Sequence, residues 1–239
     1  MQYIFRPLRQ TYLLRIIPSL ALFVKLVAAR LIENREKRIM IPRYVHVEGM
    51  DLAGKTTVAA SFARESSPWE VRRNALGPNN AIYHFADSLR RREAFDPEVL
   101  GVMYAAAILG DIRAFNKPEV NTIQESTILL RSLAIHRVRG TTGLMKLLES
   151  YLPLHPQFDA SFVFTASVES RKARLNARLR EAPWSSTEDL LILTDPDLFM
   201  AMEHELITLS REWFNSTVID TSNLSPEEVL ESVRNGLAS

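Results

Sequence analysis

Four residues between positions 49 and 56 have the types and spacing to hold a phosphate chain. Gly49, Gly54, Lys55 and Thr56 stand in the pattern Gly-x-x-x-x-Gly-Lys-Thr. The glycines let the backbone curl so that its N–H groups converge on phosphate oxygens. The amides of Ala53 and Thr57 belong to the same curl. Lys55 would reach the terminal phosphates, and the Thr56 hydroxyl would enter a Mg²⁺ shell of phosphate oxygens and waters. Such a loop must run from a strand into a helix. The flanks comply: Tyr44-Val45-His46-Val47 is β-prone, and Val58-Ala59-Ala60-Ser61-Phe62-Ala63 has a helical composition. A chance glycine turn would not carry both flanks.

Two carboxylates sit beside this curl. Glu48 directly precedes it, where an acid next to phosphates is costly unless it has a task or a partner. Asp51 lies within it, either as a functional acid or as a turn residue bonding its own backbone.

Other elements must hold these groups in place. Strand-like and helical stretches alternate: 44–47 then 55–65, 121–125 then 126–139, 160–165 then 168–180, 217–220 then 226–236. That alternation predicts an α/β fold, a parallel sheet flanked by helices. Ligands bind such sheets at the carboxyl ends of the strands. Residues 49–56, 124–126, 165–167 and 221–223 then share one edge. Stretches 97–117 and 198–214 read as two further long helices.

The sequence around the curl, Val47-Glu48-Gly49-Met50-Asp51-Leu52-Ala53-Gly54-Lys55-Thr56-Thr57, resembles the loop of thymidylate kinases and, less closely, of deoxynucleoside kinases. Residues 158–164, followed by Thr165-Ala166-Ser167 and then Arg174, Arg178 and Arg180, are similar to the family's fourth strand and arginine-bearing lid. Thr217-Val218-Ile219-Asp220-Thr221-Ser222, then Ser225-Pro226-Glu227-Glu228-Val229, resemble its last strand, adenine-side loop and final helix. The likeness spans about residues 43–235 and is thinnest in the middle.

The resemblance implies a three-layer P-loop NTPase fold that uses ATP and Mg²⁺. It implies catalytic roles for Lys55, Glu48, Arg174 and Arg178, with Glu48 and Asp51 near the acceptor's sugar. Arg180 and Ser222 would join Gly49, Asp51, Ala53, Gly54, Lys55, Thr56 and Thr57 in holding the nucleotide. Thr56 and Glu125 would serve the metal, Glu125 through water. Arg174 and Arg178 share one helical face, and Glu181-Ala182-Pro183-Trp184-Ser185-Ser186 reads as a mobile loop beyond them. Two departures bear on the acceptor. The family's arginine after the third strand is absent from Gln124-Glu125-Ser126-Thr127, and a second on the helix near 103–109 is not evident. Arg113, Arg131 or Arg90-Arg91-Arg92 could substitute, although the last group reads first as a solvated face. Leu52 stands where some thymidylate kinases carry a loop arginine.

The expected activity is transfer of the γ-phosphoryl group of ATP to a nucleoside monophosphate. Alternatives are a deoxynucleoside or other hydroxyl acceptor, or a non-catalytic NTP-binding protein. Asn116-Lys117-Pro118-Glu119 resembles a guanine-reading motif, but it follows a helix and lies too near the curl for a GTPase. The five histidines lack metal-ligand spacing, and the chain carries no recognisable nucleic-acid module.

The chain has 239 residues with 46% hydrophobic and 24% charged, a globular composition. It has no cysteine, which excludes disulfides, thiolate metal sites and a cysteine nucleophile and fits a cytoplasmic setting. Residues 1–43 hold nine basic against two acidic residues, a net of +7, which leaves −6 for the rest of a chain whose total is +1. Residues 1–42 therefore read as a basic extension before a catalytic domain at 43–239. Within residues 13–33, Leu20, Phe23, Val24, Val27 and Leu31 fall on one helical face. That face predicts packing on the body or a homodimer partner, or peripheral contact with a membrane. The longest uncharged stretch, 16–24, is about half of what a spanning helix needs.

Overall fold

The computed structural model describes residues 43–65, 69–181 and 187–238. The basic extension and residues 182–186 of the loop expected at 181–186 lie outside the described residues, and Glu181 belongs to a helix instead.

β1, Tyr44–Glu48, is buried along its whole length, as a strand covered by helices on both faces must be. It is the centre of a five-stranded sheet of order β2-β3-β1-β4-β5. The others are β2 (Glu70–Arg73), β3 (Thr122–Glu125), β4 (Ala160–Thr165) and β5 (Thr217–Asp220). Every pairing is parallel: Val45 faces Ile123 on one side and Ala160 on the other, Glu70 faces Thr122, and Phe162 faces Thr217. The alternation read from the sequence predicts four of these strands. β2 is additional; its Glu-Val-Arg-Arg sequence carries no apolar alternation because it lies at an edge, where only one side is paired.

Nine α-helices fall among the described residues: α1 (Lys55–Ala63), α2 (Ala81–Arg90), α3 (Pro97–Ala114), α4 (Ile128–Arg139), α5 (Thr142–Glu149), α6 (Val168–Glu181), α7 (Thr187–Thr194), α8 (Pro196–Phe214) and α9 (Pro226–Ala238). The stretch 97–117 stops at Ala114, and α8 begins two residues earlier than its apolar pattern because Asp195 caps it through Leu198 N–H at 3.0 Å. None of these helices is long and apolar enough to cross a membrane.

The period of two along β1 divides the core. Val45 and Val47 join Phe162 and Phe164 of β4 in packing against Val58 and Phe62 of α1 and Val229 and Val233 of α9. The other layer is built from Leu129 and Leu133 of α4, Leu206 and Leu209 of α8, Ile108 of α3 and Leu148 of α5. Each such side chain contributes roughly 1.5–3 kcal/mol on burial. Beneath this second layer the sheet face is polar, and most of its groups pair with one another. The Tyr44 hydroxyl donates to Gln124 Oε1 at 3.0 Å, and His46 Nδ1 pairs with Ser161 Oγ at 2.8 Å while its ring stacks on Phe158 at 4.4 Å.

After β1 the chain builds β2 and β3 on one side, and β4 and β5 on the other. That switch opens a crevice at the carboxyl end of β1. Residues 49–54 fill it. At Gly49 φ is +142°, and a Cβ there would stand 2.4 Å from the Phe164 carbonyl oxygen, so a side chain is excluded twice over.

Candidate active site

The curl enters α1 through Gly54, at φ +98°, and no side chain caps the helix start. Helices α2, α3 and α4, by contrast, are capped by Asn80, Asp96 and Thr127. The first N–H groups of α1 are thereby left for a ligand, at the positive end of the helix. Lys55 is buried and folds back over the curl. Its Nζ donates to the Gly49 carbonyl at 2.6 Å and the Met50 carbonyl at 3.0 Å, and lies 3.8 Å from Asp51 Oδ1. Burial, with help from the nearby Arg131 charge, lowers its pKa; Asp51, Glu48 and Glu125 oppose that.

A cavity of about 270 Å³ lies against this loop, lined by Gly54, Lys55, Thr56 and Thr57 together with three carboxylates and three arginines. Every carboxylate that lines it faces an arginine. Arg131 donates to Asp51 Oδ1 at 2.9 Å, Arg73 Nε lies 3.0 Å from Glu125 Oε2, and Arg178 spans both oxygens of Asp189 at 3.0 and 3.1 Å. Burial raises the Asp51 pKa, but Arg131 and Lys55 outweigh it and hold the carboxyl well below the usual range. The balance is four cations, Lys55, Arg73, Arg131 and Arg178, against three anions. Such a site favours an anionic ligand that can draw the arginines away from their partners.

The Thr56 hydroxyl donates to Glu125 Oε1. Glu125 Oε2 is buried without an aligned hydrogen bond, although Arg73 is near in distance. A hydroxyl beside a carboxylate with an unused oxygen suits a hard cation that brings its own phosphate oxygens and waters. Thr56 and Glu125 are therefore the residues that would hold Mg²⁺.

A second cavity, about 680 Å³, opens between α2, α3 and α4 and shares Asn74 and Arg131 with the first. Its walls include Tyr83, Tyr104, Leu100, Ile128 and Ile135. Burial pushes the Tyr104 hydroxyl up to about 12, which keeps it a neutral phenol. Arg90 and Arg91 line the same cavity, each 2.8 Å from an oxygen of Asp87. Arg91 and Arg92 are exposed, as a solvated face requires, while Arg90 is half-buried on the cavity wall. Arg113, in contrast, is exposed and lines neither cavity.

The structure separates the other expected site residues. Glu48 differs from its expected place by the acceptor: it is fully buried, accepting from Gly49 N–H at 3.0 Å and Thr127 N–H at 2.9 Å, with His46 Nε2 3.5 Å away. Burial alone would raise its pKa; His46, Arg131 and Lys55 reverse that and set it at about 2. It braces the loop against the β3–α4 turn. Arg174 lines neither cavity and donates to the carbonyls of Leu52 at 2.8 Å and Thr221 at 2.5 Å. Arg178 reaches the smaller cavity, one helical turn further on the same face. Arg180 is exposed on a different face of α6 and touches neither cavity. Ser222 accepts from Ser167 N–H at 2.8 Å and ties the β5–α9 loop to the start of α6. Ala53 is buried, and its carbonyl accepts from the Thr221 hydroxyl at 3.0 Å.

Three charged residues of the site escape the sequence patterns. Arg73 lies on the edge strand that alternation misses. Asp189 is 11 residues from its partner Arg178, beyond the reach of helical spacing. Asp87 is held by the arginines read as solvated. In the sequence Arg73 shows only as part of the charged run Glu70-Val71-Arg72-Arg73.

The parallel strand order and the loop at its switch point make a three-layer α/β P-loop fold. The fold is thymidylate/deoxynucleoside kinase-like. It is similar to a thymidylate kinase from Candida albicans, with 11% identity, 81% of this chain and 90% of that one covered, and a TM-score of 0.60. It is also similar to deoxyadenosine kinase from M. mycoides, solved with bound dATP (16% identity, 82% and 100% covered, TM-score 0.53), and to thymidylate kinase from Ehrlichia chaffeensis (13%, 82% and 98%, 0.53). At these identities the likeness is one of fold. No family model matches the chain, and no curated protein sequence matches it.

Proposed function

We propose that the chain is a kinase that transfers the γ-phosphoryl group of ATP to a nucleoside monophosphate, thymidylate first among candidates. The observation that carries this reading is the junction of the two cavities at Arg131, where the carboxylates that line the smaller cavity among the described residues are each held by an arginine. A hydroxyl acceptor needs a base, whereas an acceptor phosphate is already ionised and needs only cations and alignment. Glu48 is buried with both oxygens engaged, and Asp51, Glu125 and Asp189 each face an arginine.

In this reading the triphosphate lies along residues 49–57 with Lys55 at its terminal phosphates. The acceptor occupies the larger cavity, its phosphate toward Arg131 and Arg73. An acceptor oxygen attacks the γ-phosphorus while the bond to the β–γ bridging oxygen breaks and ADP departs. Charge building on the transferred group is met by Lys55, Arg131 and Arg178. Mg²⁺, held by Thr56 and Glu125, would add neutralising charge to the phosphates.

A nucleoside acceptor is the second reading, because Asp87 supplies a carboxylate to the larger cavity. An acceptor screen with γ-labelled ATP separates the two. Label transfer to dTMP or another monophosphate supports the first, transfer to nucleosides alone supports the second, and ATP binding with no acceptor refutes both.

A further inference from the structure

Arg171 is fully buried and its guanidinium is engaged on every side. Nε donates to the Ala166 carbonyl at 2.9 Å and one terminal nitrogen to the Asp51 carbonyl at 2.5 Å. The other terminal nitrogen donates to Glu203 Oε1, and the group lies over the Phe199 ring at 4.9 Å. Glu203, equally buried, uses its second oxygen to accept from the Thr165 hydroxyl at 3.0 Å. A buried ion pair seldom adds stability over apolar residues of the same volume. What this pair does locally is grip one peptide of the phosphate loop.

Peptide planarity turns that grip into an orientation. In a trans peptide the C=O and N–H point in opposite directions. Arg171 draws the Asp51 carbonyl toward α6, so the Leu52 N–H of the same plane is turned away from Arg171, and Leu52 itself lines the smaller cavity. Arg174, three residues along the same helix, draws the Leu52 carbonyl at 2.8 Å and does the same for the Ala53 N–H. Leu52 sits at φ +67°, a left-handed conformation that an L side chain adopts only when its surroundings impose it. Two arginines on successive turns impose it here.

We infer that Arg171, with Glu203 as its counter-ion, is a positioning residue that sets the Leu52 amide of the phosphate loop for the triphosphate. The inference rests on the reading of residues 49–57 as a triphosphate site. Arg171 touches no phosphate itself; it acts through the Asp51 peptide.

Two variants test this. Arg171→Lys keeps a charge for Glu203 but cannot donate in three fixed directions at once. The double variant R171M/E203M removes both charges and leaves neither partner buried alone. Mg·ATP affinity is measured by calorimetry on the full chain, with the melting temperature and the acceptor KM alongside. Both variants are expected to fold, to lose Mg·ATP affinity at least tenfold and kcat/KM by about 100-fold, and to keep the acceptor KM within about twofold. If the double variant fails to fold, Arg171→Lys carries the same comparison. Folded variants with wild-type Mg·ATP affinity overturn the inference, as does an equal loss on the acceptor side. A wild-type chain that binds no Mg·ATP overturns the functional reading and the inference together, which distinguishes that failure from the others.

Discussion

Replacing Glu48 by Gln separates a brace from a catalytic base. The carboxylate receives two main-chain N–H groups, from Gly49 and Thr127, one on each oxygen. An amide retains one acceptor and turns an NH₂ toward the other N–H, leaving a buried donor opposed. Its carboxyl is lowered from 4.5 to about 2, which at 1.36 kcal/mol per pKa unit amounts to about 3 kcal/mol of stability. Because the folded value lies below the unfolded one, that contribution is complete above pH ~4.5 and is lost as pH falls toward 2. Glu48→Gln should therefore destabilise the protein by about 3 kcal/mol at pH 7, about 10 °C in Tm for a domain of this size. The gap to wild type should shrink as the pH is lowered below 4.5. Thermal melts from pH 7 to pH 3 read both effects, and steady-state kinetics on the folded variant should show less than a tenfold fall in kcat. A variant of wild-type Tm whose kcat falls by about 10³ or more would refute the brace and restore Glu48 as a base.

Arg131→Leu removes the cation shared by both cavities and should raise the acceptor KM by about 10- to 100-fold; a cycle with Asp51→Asn should give a coupling of about 1–3 kcal/mol in stability. Gly49→Ala places a methyl against the Phe164 carbonyl and should cost about 3 kcal/mol or more in urea unfolding, with wild-type stability contradicting the packing described. Glu125→Gln should raise the Mg²⁺ concentration needed for half-maximal turnover about tenfold while leaving the acceptor KM near wild type; an unchanged Mg²⁺ requirement would remove Glu125 from the metal site.

The fold and the loop are legible because their signals are local. Gly49 to Thr56 is one turn of chemistry in eight residues, and the flanking strand and helix each declare themselves by composition. The alternation of 121–125 with 126–139, and of 160–165 with 168–180, is likewise written in neighbouring residues. What the sequence does not display is which long-range partner each charge takes. Arg131 meets Asp51 across 80 positions and Arg171 meets Glu203 across 32. Helical spacing puts Arg174 and Arg178 on one face correctly, yet depth along that face decides their tasks: Arg174 is spent on the loop carbonyls and Arg178 reaches the cavity. Glu48 looks like an available acid because it adjoins the loop, but the strand period points it inward to the β3–α4 turn. β2 is missed because an edge strand ending in two arginines has no hydrophobic rhythm to show.

The claim beneath all of this is that residues 49–57 bind a triphosphate. Calorimetric titration of the full chain with ATP, with and without Mg²⁺, tests it most directly, run beside Lys55→Ala. The account predicts saturable, Mg²⁺-dependent binding to wild type and a loss of at least 100-fold in the variant, about 2.7 kcal/mol. Binding that is absent in wild type, or equally strong without the Lys55 ammonium, would contradict it.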